Sequence, residues 1–263
     1  MPTFERRSLT GEAAAVHDAY APDALVLDVG RDFETLPPAV AEDLGLLADA
    51  LDPATYPQEW LPDDAPAALV RYAGSDFTIG LPSDGTVLWT RQTVPPTVLV
   101  KFRARGTPEA FLEFLLAEAF VQLSLDVPES FFPFFGDRYP DLDRAVDSGP
   151  VDTYQVAAAL FDAWVGLHTR EVFADWADDY PGLFDTWDDA GDRLAGRLTD
   201  LASEVARGKT SFAAATEYAC SAVKHGLDLP APFGALDTTA YREYGADYAV
   251  RWAEKTFEQL NDA

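Results

Sequence analysis

The sequence is short of lysine and of long apolar runs, and each shortage excludes a class of protein. Four of its 263 residues are lysine and 15 are arginine, against 45 acidic residues, which gives a net charge of −26. Because no basic stripe is present to neutralise phosphates, we expect no binding to nucleic acid. No apolar run approaches the roughly 18 residues that a membrane-spanning helix needs, so we expect no membrane partner.

Cysteine is almost absent. The one cysteine, Cys220, excludes an internal disulfide and any metal cluster built from several cysteines. The N-terminal segment has two arginines but no apolar segment after them, which is not the pattern of a secretory signal. Glycine-rich phosphate loops, HExxH and GxSxG motifs are also missing. We therefore expect a cytoplasmic protein with no cofactor and no metal site.

Negative charge is abundant and runs along the whole chain, with 30 aspartates and 15 glutamates. A compact domain with this charge repels itself in dilute buffer. At molar salt the Debye length falls to about 3 Å and most of the repulsion is screened. The composition therefore favours a protein adapted to high salt. The alternative is an ordinary acidic protein that uses an acidic face to bind a partner.

The pattern of apolar residues predicts an α+β fold that is mostly helical, in a single domain over residues 1–263. A helical N-terminal arm with one strand and a proline-rich loop is expected at residues 1–66. A small antiparallel β-meander follows at about residues 67–104, within a sub-part of the domain that spans residues 67–105. A C-terminal helical bundle, residues 106–263, is expected to pack against it.

The meander is predicted from alternation and turn residues. Residues 69–72, LVRY, are predicted as one strand, and residues 77–81 alternate apolar with polar or small side chains. Residues 82–85, PSDG, have the composition of a hairpin turn. Residues 98–102 are predicted as the last strand.

The most polar point in the aromatic-rich C-terminal half is the segment His168-Thr-Arg-Glu. His168 and Glu171 are three residues apart, which on a helix allows metal binding or acid–base work. The di-iron bundle pattern has the opposite order and occurs on two helices. The alternative is a helix end at which Arg170 and Glu171 pair with neighbours.

Cys220 is a second candidate, for nucleophilic chemistry. Lys224 is one helical turn away and would lower the pKa of the thiol. The alternative is a buried structural cysteine, with Lys224 and His225 complementing the helix dipole.

Aromatic side chains supply the candidate partner-binding surface. At such density phenylalanines usually form core, but an exposed part would mark a partner site. The residues concerned are Phe131, Phe132, Phe134 and Phe135, with Tyr56 and Trp60 in the proline-rich loop.

Three segments carry a family resemblance: PDALVLDVGRDFETLPPAVAEDLGLLADALDP, VRYAGSDFTIGLPSDGTVLWTRQ and YAVRWAEKTFEQL. They resemble a family of uncharacterised proteins found in haloarchaea. The resemblance implies a high-salt cytoplasm and brings no activity, cofactor or catalytic residue with it.

Two functional hypotheses follow. The first is a non-enzymatic interaction or regulatory protein that recognises another protein through aromatic surface. The second is a small-molecule enzyme whose scattered polar site combines His168, Arg170 and Glu171 with a strand residue such as Arg91 or Lys101.

Overall fold

The computed structural model of the chain describes residues 3–31, 33, 38–74, 79 and 85–261. The strands are β1 (Phe4–Arg6), β2 (Leu25–Val29), β3 (Ala50–Leu51), β4 (Val87–Thr90), β5 (Thr93–Val94) and β6 (Thr97–Val100). The helices are α1 (Gly11–Tyr20), α2 (Pro38–Gly45), α3 (Ala67–Ala73), α4 (Glu109–Ser124), α5 (Phe131–Phe135), α6 (Tyr139–Val146), α7 (Pro150–Ala174), α8 (Trp176–Asp179), α9 (Pro181–Ala206), α10 (Phe212–Val223) and α11 (Thr239–Asn261). Single 3-10 turns span Gln58–Trp60, Phe102–Ala104, Gly136–Arg138 and Phe233–Leu236.

The chain divides into two compact units. The first contains Met1–Gln58, Ala67–Glu129 and Tyr180–Thr186, and we call it the sheet unit. The second contains Glu59–Pro66, Ser130–Asp179 and Trp187–Ala263, and we call it the helical unit. The prediction of one domain with three sub-parts stays a prediction.

The sheet unit is built on a four-stranded sheet in the order β1-β2-β6-β4. β2 runs parallel to β6, and the other two pairings are antiparallel. Alternate residues face opposite sides of a strand, so registered partners share a face. Leu27, Leu88 and Leu99 are such partners, and they face a core shared with α2. α4 packs on the opposite face, where Trp89 Nε1 donates to Gln122 Oε1 at 2.7 Å.

Arg91 fastens α4 to the sheet. Its guanidinium donates to carbonyls at the C-terminal end of α4 and just beyond, including those of Leu123 and Val127, both at 2.9 Å. The carbonyl oxygens of a last helical turn have no partner within the helix, so a cation that donates to them is favourable. The Glu129 carboxylate accepts from the backbone N–H of Arg91 at 2.5 Å and from Thr90 Oγ1 at 2.9 Å.

The helical unit is organised on α7, its longest uninterrupted helix among the described residues. Pro150 begins α7, where the missing N–H donor costs no hydrogen bond. Ser211 caps α10 by accepting from the backbone N–H of Ala214 at 3.1 Å. α7 and α10 approach so closely that a Cβ on Gly166 would lie 3.0 Å from the backbone nitrogen of Lys224.

The α+β, mostly helical class is confirmed, but several details of the predicted sheet are wrong. Residues 69–72 lie in helix α3, whose buried residues Leu69, Tyr72 and Ala73 fit helical spacing. The sheet is mixed rather than an antiparallel meander, because β1 and β2 join it from the N-terminal part of the chain. The predicted strand at 77–81 and the hairpin at 82–85 fall almost wholly outside the described residues.

A helix that crosses a lipid bilayer needs about 20 predominantly apolar residues. None of the helices in the described part of the chain combines that length with that apolar character.

Two glycines in long helices give a matched test of the packing of the helical unit. We expect Gly166→Ala to lower the free energy of unfolding by about 1–3 kcal/mol, because its methyl group meets backbone atoms of Lys224. No atom lies within 4 Å of the place that a methyl group on Gly196 would take, so Gly196→Ala should raise it by about 0.5–1 kcal/mol. Denaturant titration at constant salt measures both changes. Equal effects of the two substitutions would contradict the tight contact.

Candidate functional site

A row of four neighbouring aromatic rings lies on the helical unit. Phe161, Trp164 and His168 come from α7 at positions i, i+3 and i+7, which share one face of a helix, and Phe134 comes from α5. All four side chains are partly exposed. Ring centroids are 5.4 Å apart for Phe134 and Phe161, 4.9 Å for Phe134 and Trp164, and 4.3 Å for Trp164 and His168. We call these four residues the aromatic row.

A kink in α11 seats against the aromatic row. Gly245 has φ 48° and ψ −122°, a conformation that residues with a Cβ rarely adopt. A Cβ there would also lie 3.2 Å from the Phe134 ring and 3.5 Å from Trp164 Nε1. Trp164 Nε1 instead donates to the carbonyl of Arg242, at 3.2 Å, just before the kink. The indole therefore has its polar atom bonded while part of its ring faces solvent.

His168 ends the aromatic row as a neutral imidazole at neutral pH. Its Nδ1 donates to the carbonyl of Trp164 at 2.8 Å, one turn earlier on α7. Partial burial lowers the pKa of His168, and the positive charge of Arg242 contributes in the same direction. With Nδ1 protonated, Nε2 is the ring atom that can accept a hydrogen bond.

The other two members of the predicted polar site have partners of their own. Arg170 Nη1 pairs with Asp237 Oδ1 at 2.6 Å, and Arg242 Nη1 lies 3.7 Å from Glu171 Oε2. Because His168 bonds to a backbone carbonyl and Glu171 faces Arg242, these contacts do not bring the two together as an acid–base pair. Within the described residues no group of three or more His, Cys, Asp or Glu side chains is arranged to hold a metal ion.

Arg91 and Lys101, which the scattered-site hypothesis places on strands, directly follow β4 and β6 in the sheet unit, and each has a structural role there. The guanidinium of Arg91 donates to the carbonyls at the end of α4. Lys101 is 1% exposed, and its ammonium lies 5.3 Å from the centroid of the Phe33 ring. The hydrogen bonds of Arg91 and the contact of Lys101 with Phe33 thus hold elements of the sheet unit together.

Most of the phenylalanine cluster is core. Phe131, Phe132 and Phe135 are buried, and their rings pack around Tyr139 at centroid distances of 5.8, 5.6 and 6.4 Å. Phe134 alone of the four is partly exposed. Phe134 differs from the other three because the segment forms helix α5, and one side of this helix faces solvent.

The two aromatic residues of the proline-rich loop are partly exposed and lie in different units. Tyr56 stacks on Tyr72 in the sheet unit, with ring centroids 5.7 Å apart. Trp60 meets Phe132 edge to face in the helical unit, at 5.8 Å. Each ring thus has a packing role within its own unit.

Cys220 is buried in the helical unit. Burial raises the pKa of its thiol well above the usual value, and the negative charges of Asp162 and Glu217 add to the shift. A thiol that stays protonated at neutral pH is a poor nucleophile. Lys224 does not reverse this effect, so the geometry is that of a structural cysteine.

The aromatic row goes beyond what the sequence predicts, although part of its signal is there. Phe161, Trp164 and His168 stand in FDAWVGLH at helical spacing. That spacing alone also fits a buried stripe. The kink at Gly245 and the approach of Phe134 from 27 residues away involve contacts between elements, and no local pattern encodes them.

Comparison with known proteins gives a family and no activity. Residues 3–260 match the model of a family of unknown function, DUF7089. No curated protein matches the chain. No solved structure matches it either.

His225 makes the stability of the helical unit depend on pH. Its ring stacks on Trp187 at 5.5 Å, and a Cβ on Gly191 would lie 3.1 Å from its Nδ1. Partial burial, with the charge of Lys224 second, lowers the pKa of His225 from 6.5 to about 4. The neutral ring therefore stabilises the fold fully above pH 6.5, and this contribution is lost as the pH falls from 6.5 toward 4.

The test compares the wild-type protein with His225→Gln, which cannot be protonated. As the pH falls from about 7 to about 5, we expect the wild type to lose about 1–2 kcal/mol of free energy of unfolding relative to His225→Gln. This range allows for the partial exposure of the ring. Acid also relieves the repulsion of the carboxylates, but both proteins share that effect and it cancels. Parallel pH profiles would contradict the prediction.

Proposed function

Because the chain belongs to the DUF7089 family of unknown function, we propose its role from geometry: it is a non-enzymatic protein that binds a partner protein through the aromatic row. The observation that carries the proposal is the set of four contiguous, partly exposed rings on one side of the helical unit. Tryptophan and other aromatic side chains supply much of the energy at protein interfaces, where a few residues dominate.

The aromatic row is fixed before any partner arrives. The hydrogen bond of Trp164 to Arg242 and the contact of Gly245 with Phe134 limit the rotamers of these rings. Side chains that are ordered in advance lose less entropy on binding. Preorganisation of this kind favours a binding surface over an adventitious patch.

The surroundings of the aromatic row indicate the chemistry of the partner. Arg242 is 43% exposed, and its ion pair with Glu171, itself 74% exposed, is long at 3.7 Å. Such a pair contributes little and is readily exchanged for another acceptor. We therefore expect a partner segment that has an apolar side chain next to a carboxylate. The apolar side chain would pack on the rings, and the carboxylate would pair with Arg242.

The enzyme alternative has less support. Arg170 and Glu171 have partners away from His168, and Arg91 donates to backbone carbonyls. The groups that a scattered site would need are therefore engaged in separate contacts. No observation favours a particular reaction.

We also propose that the protein works in a high-salt cytoplasm, as in haloarchaea. The 45 acidic residues against 19 basic ones support this proposal, as does their spread along the chain. The aspartates of α9, including Asp188, Asp192 and Asp200, are exposed as a hydrated carboxylate surface requires.

The partner-binding proposal is tested by comparing Phe161→Ser with Val151→Ser. Both remove an apolar side chain from α7, but Val151 is 70% exposed and lies ten residues from the aromatic row. After capture of a stoichiometric partner in multimolar KCl, we expect Phe161→Ser to weaken binding at least about tenfold and Val151→Ser to leave it unchanged. Near-ultraviolet circular dichroism establishes that both variants are folded.

Hydroxyl-radical footprinting of the complex adds the location. The partner should protect Trp164 and Phe161 from oxidation. A partner retained by Phe161→Ser, protection elsewhere only, or a protein that stays partnerless under native salt would each sink the proposal.

The salt proposal has its own test. We expect the free energy of unfolding to rise with KCl up to molar concentrations, because screening relieves repulsion among the carboxylates. The triple substitution Asp188→Asn, Asp192→Asn, Asp200→Asn should reduce the slope of that rise, since it removes three exposed negative charges. A stability that does not change between dilute and molar KCl would contradict adaptation to high salt.

A further inference from the structure

A second surface feature of the helical unit lies on α11, beyond the kink. It is a groove of about 330 Å³ between α11 and the 3-10 turn Phe233–Leu236. Tyr248 and Trp252 line it from α11, and Pro232 and Ala235 line it from the loop. The volume is near the lower end of the range for small-molecule sites, about 300–1,000 Å³.

The aromatic lining of the groove is apolar and held in place. Trp252 Nε1 donates to the carbonyl of Pro232 at 3.1 Å, and the Tyr248 hydroxyl donates to the carbonyl of Ala235 at 2.8 Å. The polar atoms of both rings are thus bonded to the loop. The ring of Phe233 packs between those of Trp252 and Phe212, with centroid distances of 6.0 Å and 5.4 Å. The groove therefore has a rigid apolar wall.

The rim of the groove carries two cations one helical turn apart, Arg251 and Lys255. Residues four apart on a helix are neighbours, so the like charges repel each other. Both side chains are exposed, and neither makes an ion pair with any residue in the part of the chain that the structure describes. Both cations are therefore open to an anionic ligand at the rim of the groove.

We propose that this groove binds a small amphipathic carboxylate, with its apolar body against Tyr248 and Trp252 and its carboxylate between Arg251 and Lys255. The volume suits a ligand of about ten non-hydrogen atoms, at about 30 Å³ for each. The two cations supply charge-assisted hydrogen bonds to the carboxylate oxygens. Binding also relieves the repulsion between the cations. The site is separate from the aromatic row and does not depend on the protein-binding proposal.

Octanoate is the probe, because it has ten non-hydrogen atoms and one carboxylate. Isothermal titration at fixed molar KCl should give saturable binding of octanoate to the wild-type protein, at least about tenfold tighter than binding of octanol and of octylamine. Octanol retains the apolar chain without charge, and octylamine reverses the charge. Equal binding of all three would reduce the groove to a non-specific apolar surface and overturn the proposal.

The chain offers a matched control for the cations. Arg251→Gln with Lys255→Gln should weaken octanoate binding at least about tenfold. Arg193→Gln with Arg197→Gln removes the same charge from another i, i+4 pair in the helical unit, whose members contact Asp189 and the Tyr218 ring. That variant should change affinity less than about twofold, apart from the long-range field that molar salt screens.

A third variant tests the apolar wall. Ala235 is exposed at the groove, so Ala235→Phe should fill it without disturbing the core and abolish octanoate binding. Absence of saturable octanoate binding by the wild-type protein would overturn the proposal, as would equal losses in the two double variants. Circular dichroism on every variant separates lost binding from lost folding.

Discussion

The helical unit depends on one close backbone contact, the approach of α7 to the end of α10 at Gly166. The contact fixes the rotation of α7, and other faces of the same helix then hold the rest of the unit. The Tyr241 hydroxyl donates to the carbonyl of Leu160 at 2.6 Å and secures α11 to α7. The aromatic row occupies a further face of α7. A shift of α7 would therefore disturb the packing of the helical unit, the kink at Gly245 and the aromatic row at the same time.

The sheet unit holds two partly buried charged residues, Arg91 and Glu129, next to the end of α4. The two residues are linked by a hydrogen bond from the backbone N–H of Arg91 to the carboxylate of Glu129. The Arg91 side chain donates to carbonyls near the end of α4, and Glu129 accepts from the backbone of Arg91 and from Thr90. Partly buried charges are tolerated when hydrogen bonds replace the lost water. The same arrangement sets the position of α4 on the sheet.

Local patterns in the sequence are sufficient to predict the features that depend on them. The α+β class is of this kind, and so is the last predicted strand, residues 98–102, which the structure has at Thr97–Val100. The prediction of a strand at residues 69–72 is wrong because so short a segment fits both periodicities, and burial of one helical face decides between them. The candidate site is less accessible to prediction. His168 and Phe134 both stand out in the sequence, but their membership of one surface follows from the packing of α5 on α7.

The small number of lysines has a practical consequence for chemical modification. Lys101, at 1% exposure, is shielded from reagents, whereas Lys209 and Lys255 are exposed. Amine acylation of the folded protein thus has few side-chain targets, and one of them stands at the rim of the groove on α11. A fluorophore attached to Lys255 would report directly on that groove. The scarcity of lysine, which suits a strongly hydrated acidic surface, also limits the number of side chains that such a reagent can label.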